Sequence, residues 1–142
     1  MLVLDANILI RAVLGSRVLH LLRTYATQID FVAPDTAYAE AREQLPLILK
    51  NRGIPIAPAM DTLDLVSRLV QSVDLSVYSC FENAARERID RRDQDDWPVL
   101  ALSLMLDCPI WTEDTDFFGC GVATWTTQTV ELYLAKASDH PH

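Results

Sequence analysis

Four carboxylates in four separate segments, Asp5, Glu40, Asp96 and Asp114, are the residues of this chain best placed to do chemistry. Asp5 closes the apolar start Met1–Leu4, and Asp114 follows Trp111-Thr112-Glu113. Asp96 stands immediately before the apolar stretch Trp97–Leu106, and Glu40 lies within the Ala-rich Ala37-Tyr38-Ala39-Glu40-Ala41. Gathered on one edge of a sheet, such groups would repel one another unless cations lay between them. Carboxylate oxygens are hard ligands and favour Mg²⁺ or Mn²⁺. The matching reaction is metal-assisted hydrolysis of a phosphodiester, in which ions activate the attacking water and stabilise the leaving oxygen. Each acid also has a plainer use. Asp5 could form a turn, Asp96 could cap a helix, and Asp114 and Asp116 could both be turn residues. Glu40 could sit on a solvated helix face, with Glu43 as its rival. The set, not any member, carries the inference.

The segments that would position these acids alternate between strand and helix. Met1–Leu4 has the pattern of a buried strand. Helical spacing follows from Ile8 to about Ala26, with a break at Gly15-Ser16. Phe31-Val32-Ala33 is a second strand, and Asp35 is placed to cap a helix running to about Leu45, where Pro46 should interrupt it. Pro55 and Pro58 bracket an expected loop before a helix from Met60 to Gln71. Asp74 to Tyr78 has the alternation of a third strand, and Glu82 to Ile89 reads as a helix. The helix Trp97–Leu106 tolerates Pro98 in its first turn. Pro109–Thr112 and Val122–Trp125 are the remaining expected strands, and Thr127 is placed to cap a closing helix to Lys136. Alternation of this kind predicts right-handed βαβ units. The expected fold is a three-layer α/β/α sandwich with a parallel sheet of four to five strands, in one domain over residues 1–137. Residues 138–142 are expected to be a disordered tail.

Composition narrows the function. The 142 residues are half hydrophobic and 23% charged, an ordinary globular balance. No apolar run approaches the roughly 20 residues that span a bilayer. The start lacks a basic region and does not read as a signal peptide. Three cysteines, Cys80, Cys108 and Cys120, form no Cys-x-x-Cys pair, so a disulfide framework or zinc site is not expected and a reducing cytoplasm fits. Cys80 and Cys108 read as small buried hydrophobes, and Trp97, Trp111 and Trp125 as core residues. Of the histidines, His20 stands alone and His140 and His142 fall in the polar tail. The net charge of −8 argues against a passive nucleic-acid-binding module. It is compatible with an enzyme whose bound metal reverses the local sign, or with a basic partner. One basic island, Arg86, Arg88, Arg91 and Arg92, interrupts the acidity. Its plain reading is a solvated helix face paired with Glu82, Glu87 and Asp90. The sharper one is that Arg91 and Arg92 hold RNA phosphates.

The order of these residues resembles the PIN-domain family over nearly the whole chain. Leu4-Asp5-Ala6-Asn7-Ile8-Leu9-Ile10 is similar to the family's opening motif, and Ala33-Pro34-Asp35 with Glu40 to its second strand and helix. Asp95-Asp96-Trp97-Pro98-Val99-Leu100 resembles its third acidic motif, and Trp111-Thr112-Glu113-Asp114-Thr115-Asp116-Phe117 its closing one. The resemblance implies a metal-dependent ribonuclease with Asp5, Glu40, Asp96 and Asp114 as metal ligands. It makes Asp116 an auxiliary acid and Asn7 and Thr112 polar support. Bacterial and archaeal members are often toxins of toxin–antitoxin pairs, so it also implies an RNA substrate, an antitoxin partner and a homodimer. Two departures stand out: position 35 is Asp where many members carry Ser or Thr, and Asp95, with Asp93 behind it, competes with Asp96 for one ligand position.

Two rival functions suit the same fold. A phosphatase using Asp5 as nucleophile would want an acid at position 7 and a lysine for the phosphoryl group. Position 7 is Asn7, and Lys50 and Lys136 lie in an expected loop and the terminal helix. A non-catalytic binding or scaffold protein is the other rival, and the presence of all four acids speaks against it.

Overall fold

A computed structural model describes residues 1–89 and 94–139. Five strands form one parallel sheet: β1 (Leu2–Leu4), β2 (Phe31–Pro34), β3 (Val70–Val73), β4 (Ile110–Trp111) and β5 (Thr124–Trp125). Their spatial order is β3-β2-β1-β4-β5. The chain moves outward from β1 through β2 to β3, then crosses back to the far side of β1. The switch point between β1 and β4 opens a crevice at the strand carboxyl ends, where ligands of open α/β sheets bind.

Period-two alternation sends strand side chains to opposite faces. Leu2, Leu4, Phe31, Ala33 and Trp111 enter one core, under α1 (Ala6–Leu14), α2 (Arg17–Tyr25), α3 (Asp35–Arg52), α4 (Ile56–Leu69) and α8 (Val130–Asp139). Val3, Val32 and Ile110 enter the other, with Tyr78 of α5 (Leu75–Tyr78), Ala85 of α6 (Glu82–Ile89) and Leu100 of α7 (Trp97–Leu106). The three-layer sandwich is thus present, with five strands. Among the described residues no helix is long and apolar enough to cross a membrane.

Four expectations need correction. Pro46 does not end its helix: α3 runs through it to Arg52 and stops at Gly53, whose backbone is left-handed (φ 67°). Leu45 and Leu49, both buried, hold the helix against the core on either side of the proline, and this packing outweighs the lost hydrogen bond. Pro58 belongs to the first turn of α4, where a missing N–H is harmless. The third strand is Val70–Val73, not Asp74–Tyr78. Asp74 instead caps α5 by accepting from the Ser76 amide. Thr127 does not cap α8, which starts at Val130. It is buried, and its hydroxyl accepts from the Trp111 indole N–H at 3.1 Å.

Cysteine placement also differs from expectation. Cys80 is exposed and Cys108 half-buried, while Cys120 is the buried one, and all three are free thiols. The neighbouring Tyr78 takes the core position and leaves Cys80 outside. Burial pushes the Cys108 thiol up to about 11. Of the expected tail, Ser138 and Asp139 belong to α8, and residues 140–142, with His140 and His142, lie outside the described residues.

Candidate metal centre

Asp5 leaves β1 in extended conformation and caps α1, its Oδ1 accepting from the Ala6 amide at 2.7 Å. Its Oδ2 accepts from the Thr112 hydroxyl at 2.8 Å and from the Asn7 amide at 3.1 Å. Thr112, fully buried beyond β4, also accepts from the Asp114 backbone N–H at 2.9 Å. Asn7 closes the loop by accepting from the Glu113 N–H at 3.2 Å. The ends of β1 and β4 are therefore joined by side chains more than 100 residues apart in sequence. Burial raises the pKa of Asp5 above its ordinary 3.8, and the nearby Asp114 charge adds to that, while the three donors pull the other way.

Asp114 starts a 3-10 turn, Thr115–Phe117, and accepts from the Asp116 amide at 2.9 Å. The turn folds Asp116 back toward Asp114 and buries Phe117 as its anchor. Across the crevice, Asp96 occupies the N-cap position of α7 but makes no side-chain capping hydrogen bond. The plain reading of Asp96 as a cap therefore holds for its position but not for a side-chain capping bond. One carboxylate oxygen from each of Asp96, Asp114 and Asp116 lies within 4.8 Å of the other two. Asp95, exposed beside it, is not a member of this group.

Asp96 is braced from behind. Tyr78 packs on Trp97, ring centroids 5.7 Å apart, and donates its hydroxyl to Asp35 at 2.6 Å. Arg86 lies over the Trp97 ring, 5.4 Å from its centroid, and pairs with Glu82 at 2.8 Å. Arg88 donates to the Cys120 carbonyl, tying α6 to the loop beyond Asp116. These two arginines are thus structural, while Arg91, Arg92, Asp90 and Asp93 lie outside the described residues. Asp35, expected as the cap of α3, is instead its first helical residue behind Pro34, and accepts from the Leu75 and Thr36 amides as well as from Tyr78, so joining α3 to α5. Nothing local in the sequence signals the Asp35–Tyr78 bond, which spans 43 positions.

Glu40 stands exposed in the second turn of α3, with Gln44 donating to its Oε1 at 2.9 Å. It is not part of the three-acid group. Glu113, not singled out by sequence, accepts from the Thr127 amide at 2.7 Å and ties the post-β5 segment to the crevice.

The donor set suits a divalent cation. All three groups offer carboxylate oxygen, the ligand type of Mg²⁺ and Mn²⁺. Two ligands of one Mg²⁺ lie at most about 4.2 Å apart, twice the usual 2.1 Å bond. Oxygens that already lie within 4.8 Å of one another are thus a small side-chain adjustment from closing on one ion.

The sequence profile of the PIN domain family matches residues 3–135, and the chain belongs to that family. PIN domains are generally metal-dependent nucleases that act on RNA. No curated protein matches the chain.

Proposed function

We propose that this protein is an endoribonuclease dependent on Mg²⁺ or Mn²⁺, hydrolysing RNA phosphodiester bonds at the β1/β4 crevice. The observation that carries the reading is the approach of the Asp96, Asp114 and Asp116 oxygens to within 4.8 Å, beside buried Asp5. Asp5, Glu40, Asp96 and Asp114 are the proposed ligands, Asp116 an auxiliary one, and Asn7 and Thr112 their support. Bound ions would supply an activated water and positive charge for the leaving oxygen.

The remaining work falls to the chain. Thr112 and Asn7 orient Asp5 Oδ2, and the Ala6 amide holds Oδ1, so this carboxylate keeps one direction. The Asp116 amide does the same for Asp114. Asp96 reaches in from a helix start that leaves its side chain uncommitted to capping. Glu40 comes from α3, which leaves β2 directly beside β1. Arg91 and Arg92 are proposed to hold flanking phosphates.

The family resemblance supports a further step: the protein acts as the toxin of a toxin–antitoxin pair, in the cytoplasm, as a homodimer. Cleavage of single-stranded RNA with added Mn²⁺ tests the site. Asp5→Asn and Asp96→Asn should abolish cleavage while circular dichroism stays native. Wild-type rates in both variants would contradict the assignment. Growth arrest on expression, lost in the same variants, is the expected outcome for a toxin.

A further inference from the structure

Three arginines from three helices converge on one cavity in a chain of net charge −8. The cavity, about 440 Å³, is lined by Arg11 of α1, Arg17 of α2 and Arg52 of α3, with Gly15, Ser16 and Thr127 between them. A basic residue near a helix carboxyl end is ordinary, and Arg11 and Arg52 each hold that position. Helix ends account for single cations, however, and not for three sharing a concavity. Arg17 pairs with Glu131 at 3.0 Å, a half-exposed contact of the weak kind. Among the described residues, neither Arg11 nor Arg52 pairs with a carboxylate.

The cavity is joined to the acidic crevice by two routes. Arg11 lies four residues along α1 from Asn7, on the same face, which is about 6 Å of axial rise. Asn7 in turn bonds Asp5 and the Glu113 amide. On the other side Glu113, next to Asp114, holds the Thr127 amide, and Thr127 lines the cavity. A chain seated at the acids and running past Asn7 would meet these guanidiniums next.

We infer that the Arg11–Arg17–Arg52 cavity binds backbone phosphates of the RNA strand beside the bond being cleaved. The inference rests on the ribonuclease reading and extends it to how the substrate is held. Guanidinium is suited to phosphate because its donors form a planar fork. An acidic segment of a partner protein would answer to the same charge, but continuity with the crevice favours the strand that the crevice cuts.

The test is fluorescence anisotropy of a short labelled single-stranded RNA, in EDTA across a salt series, for wild type, Arg11→Gln, Arg52→Gln and the double variant. Each single change should weaken binding about 3- to 10-fold, and the salt slope should shrink by about 0.7 per arginine. In cleavage assays the same variants should raise KM and leave kcat near wild type. Unchanged affinity and slope in the double variant, or no RNA binding by the wild type at low salt, would overturn the inference. So would retained RNA binding together with lost binding of a Glu-rich peptide, which would assign the cavity to an acidic protein segment. The two readings fail separately. A wild type that binds RNA through the arginines but never cleaves with Mn²⁺ refutes the nuclease and leaves the cavity standing. Cleavage with a KM indifferent to Arg11 and Arg52 does the reverse.

Discussion

Asp5 and Asp96 bring the same carboxylate to the same crevice, yet the chain holds them in different ways. Asp5 is 6% exposed, follows a strand in the middle of the sheet, and accepts three hydrogen bonds from Ala6, Asn7 and Thr112. Asp96 is half-buried at a helix start, positioned from behind by Trp97 packed on Tyr78, with no capping bond of its own. The inner half of the site is wired into the sheet, and the outer half is delivered by a helix and a 3-10 turn. In the proposed metal site, a rigid inner anchor would fix where an ion sits, and the outer carboxylates would close on it. Buried charge at the anchor is costly without a cation, so a bound metal would also stabilise the fold.

The largest expected effect breaks the inner half. Asp5→Asn should lower RNA cleavage by about 10³-fold or more, measured as kcat/KM with Mn²⁺. The same change should not destabilise the metal-free protein at neutral pH. With its folded pKa above 3.8, Asp5 favours folding most when protonated. Its contribution is present below pH 3.8 and lost as pH rises through the raised folded value. Asn cannot ionise, so that segment of the stability–pH curve should flatten in the variant.

Next comes a contrast within the outer half. Asp96→Asn should cost about 10²-fold or more in cleavage, and Asp95→Asn less than about twofold, because only Asp96 lies with Asp114 and Asp116. Equal losses would erase the distinction between the two neighbours. Thr112→Val keeps the shape but removes the hydroxyl joining Asp5 to Asp114. It should cost about 2 kcal/mol, a fall of roughly 4–8 °C in Tm, and about 10- to 100-fold in activity.

The smallest effect lies behind the outer half. Gly121 has φ +88°, and a Cβ there would lie 2.5 Å from the Arg88 guanidinium. Gly121→Ala should cost about 1–2 kcal/mol by thermal melt and free the loop beyond Asp116 from α6, with only a few-fold loss of activity.

Much of this was readable from local pattern. Leu2–Leu4 before Asp5, the helices Glu82–Ile89 and Trp97–Leu106, and the paired turn residues at Asp114 and Asp116 all announce themselves by period or by type. What escaped depends on distant partners. Leu75 and Val77 alternate with Ser76 and Tyr78 as a strand would, but Asp35 draws the Leu75 amide and the Tyr78 hydroxyl into a helical turn. Pro46 reads as a stop until Leu45 and Leu49 are seen in the core. The arginine cavity is invisible in sequence because Arg11 and Arg52 meet only once α1 and α3 pack together. For the site, Asp5, Asn7, Thr112 and Asp114 are each named by the motifs, but the hydrogen bonds that link them depend on the β1/β4 pairing, and Glu40 stands apart from the three-acid group. No spacing rule distinguishes Asp96 from Asp95 until the turn before α7 exposes one and turns the other inward.

A crystal soaked in Mn²⁺ and measured at the manganese edge addresses the central claim most directly. Anomalous density among Asp96, Asp114 and Asp116, on the side facing Asp5, is the predicted result. Density elsewhere with that crevice empty at millimolar Mn²⁺ would contradict it.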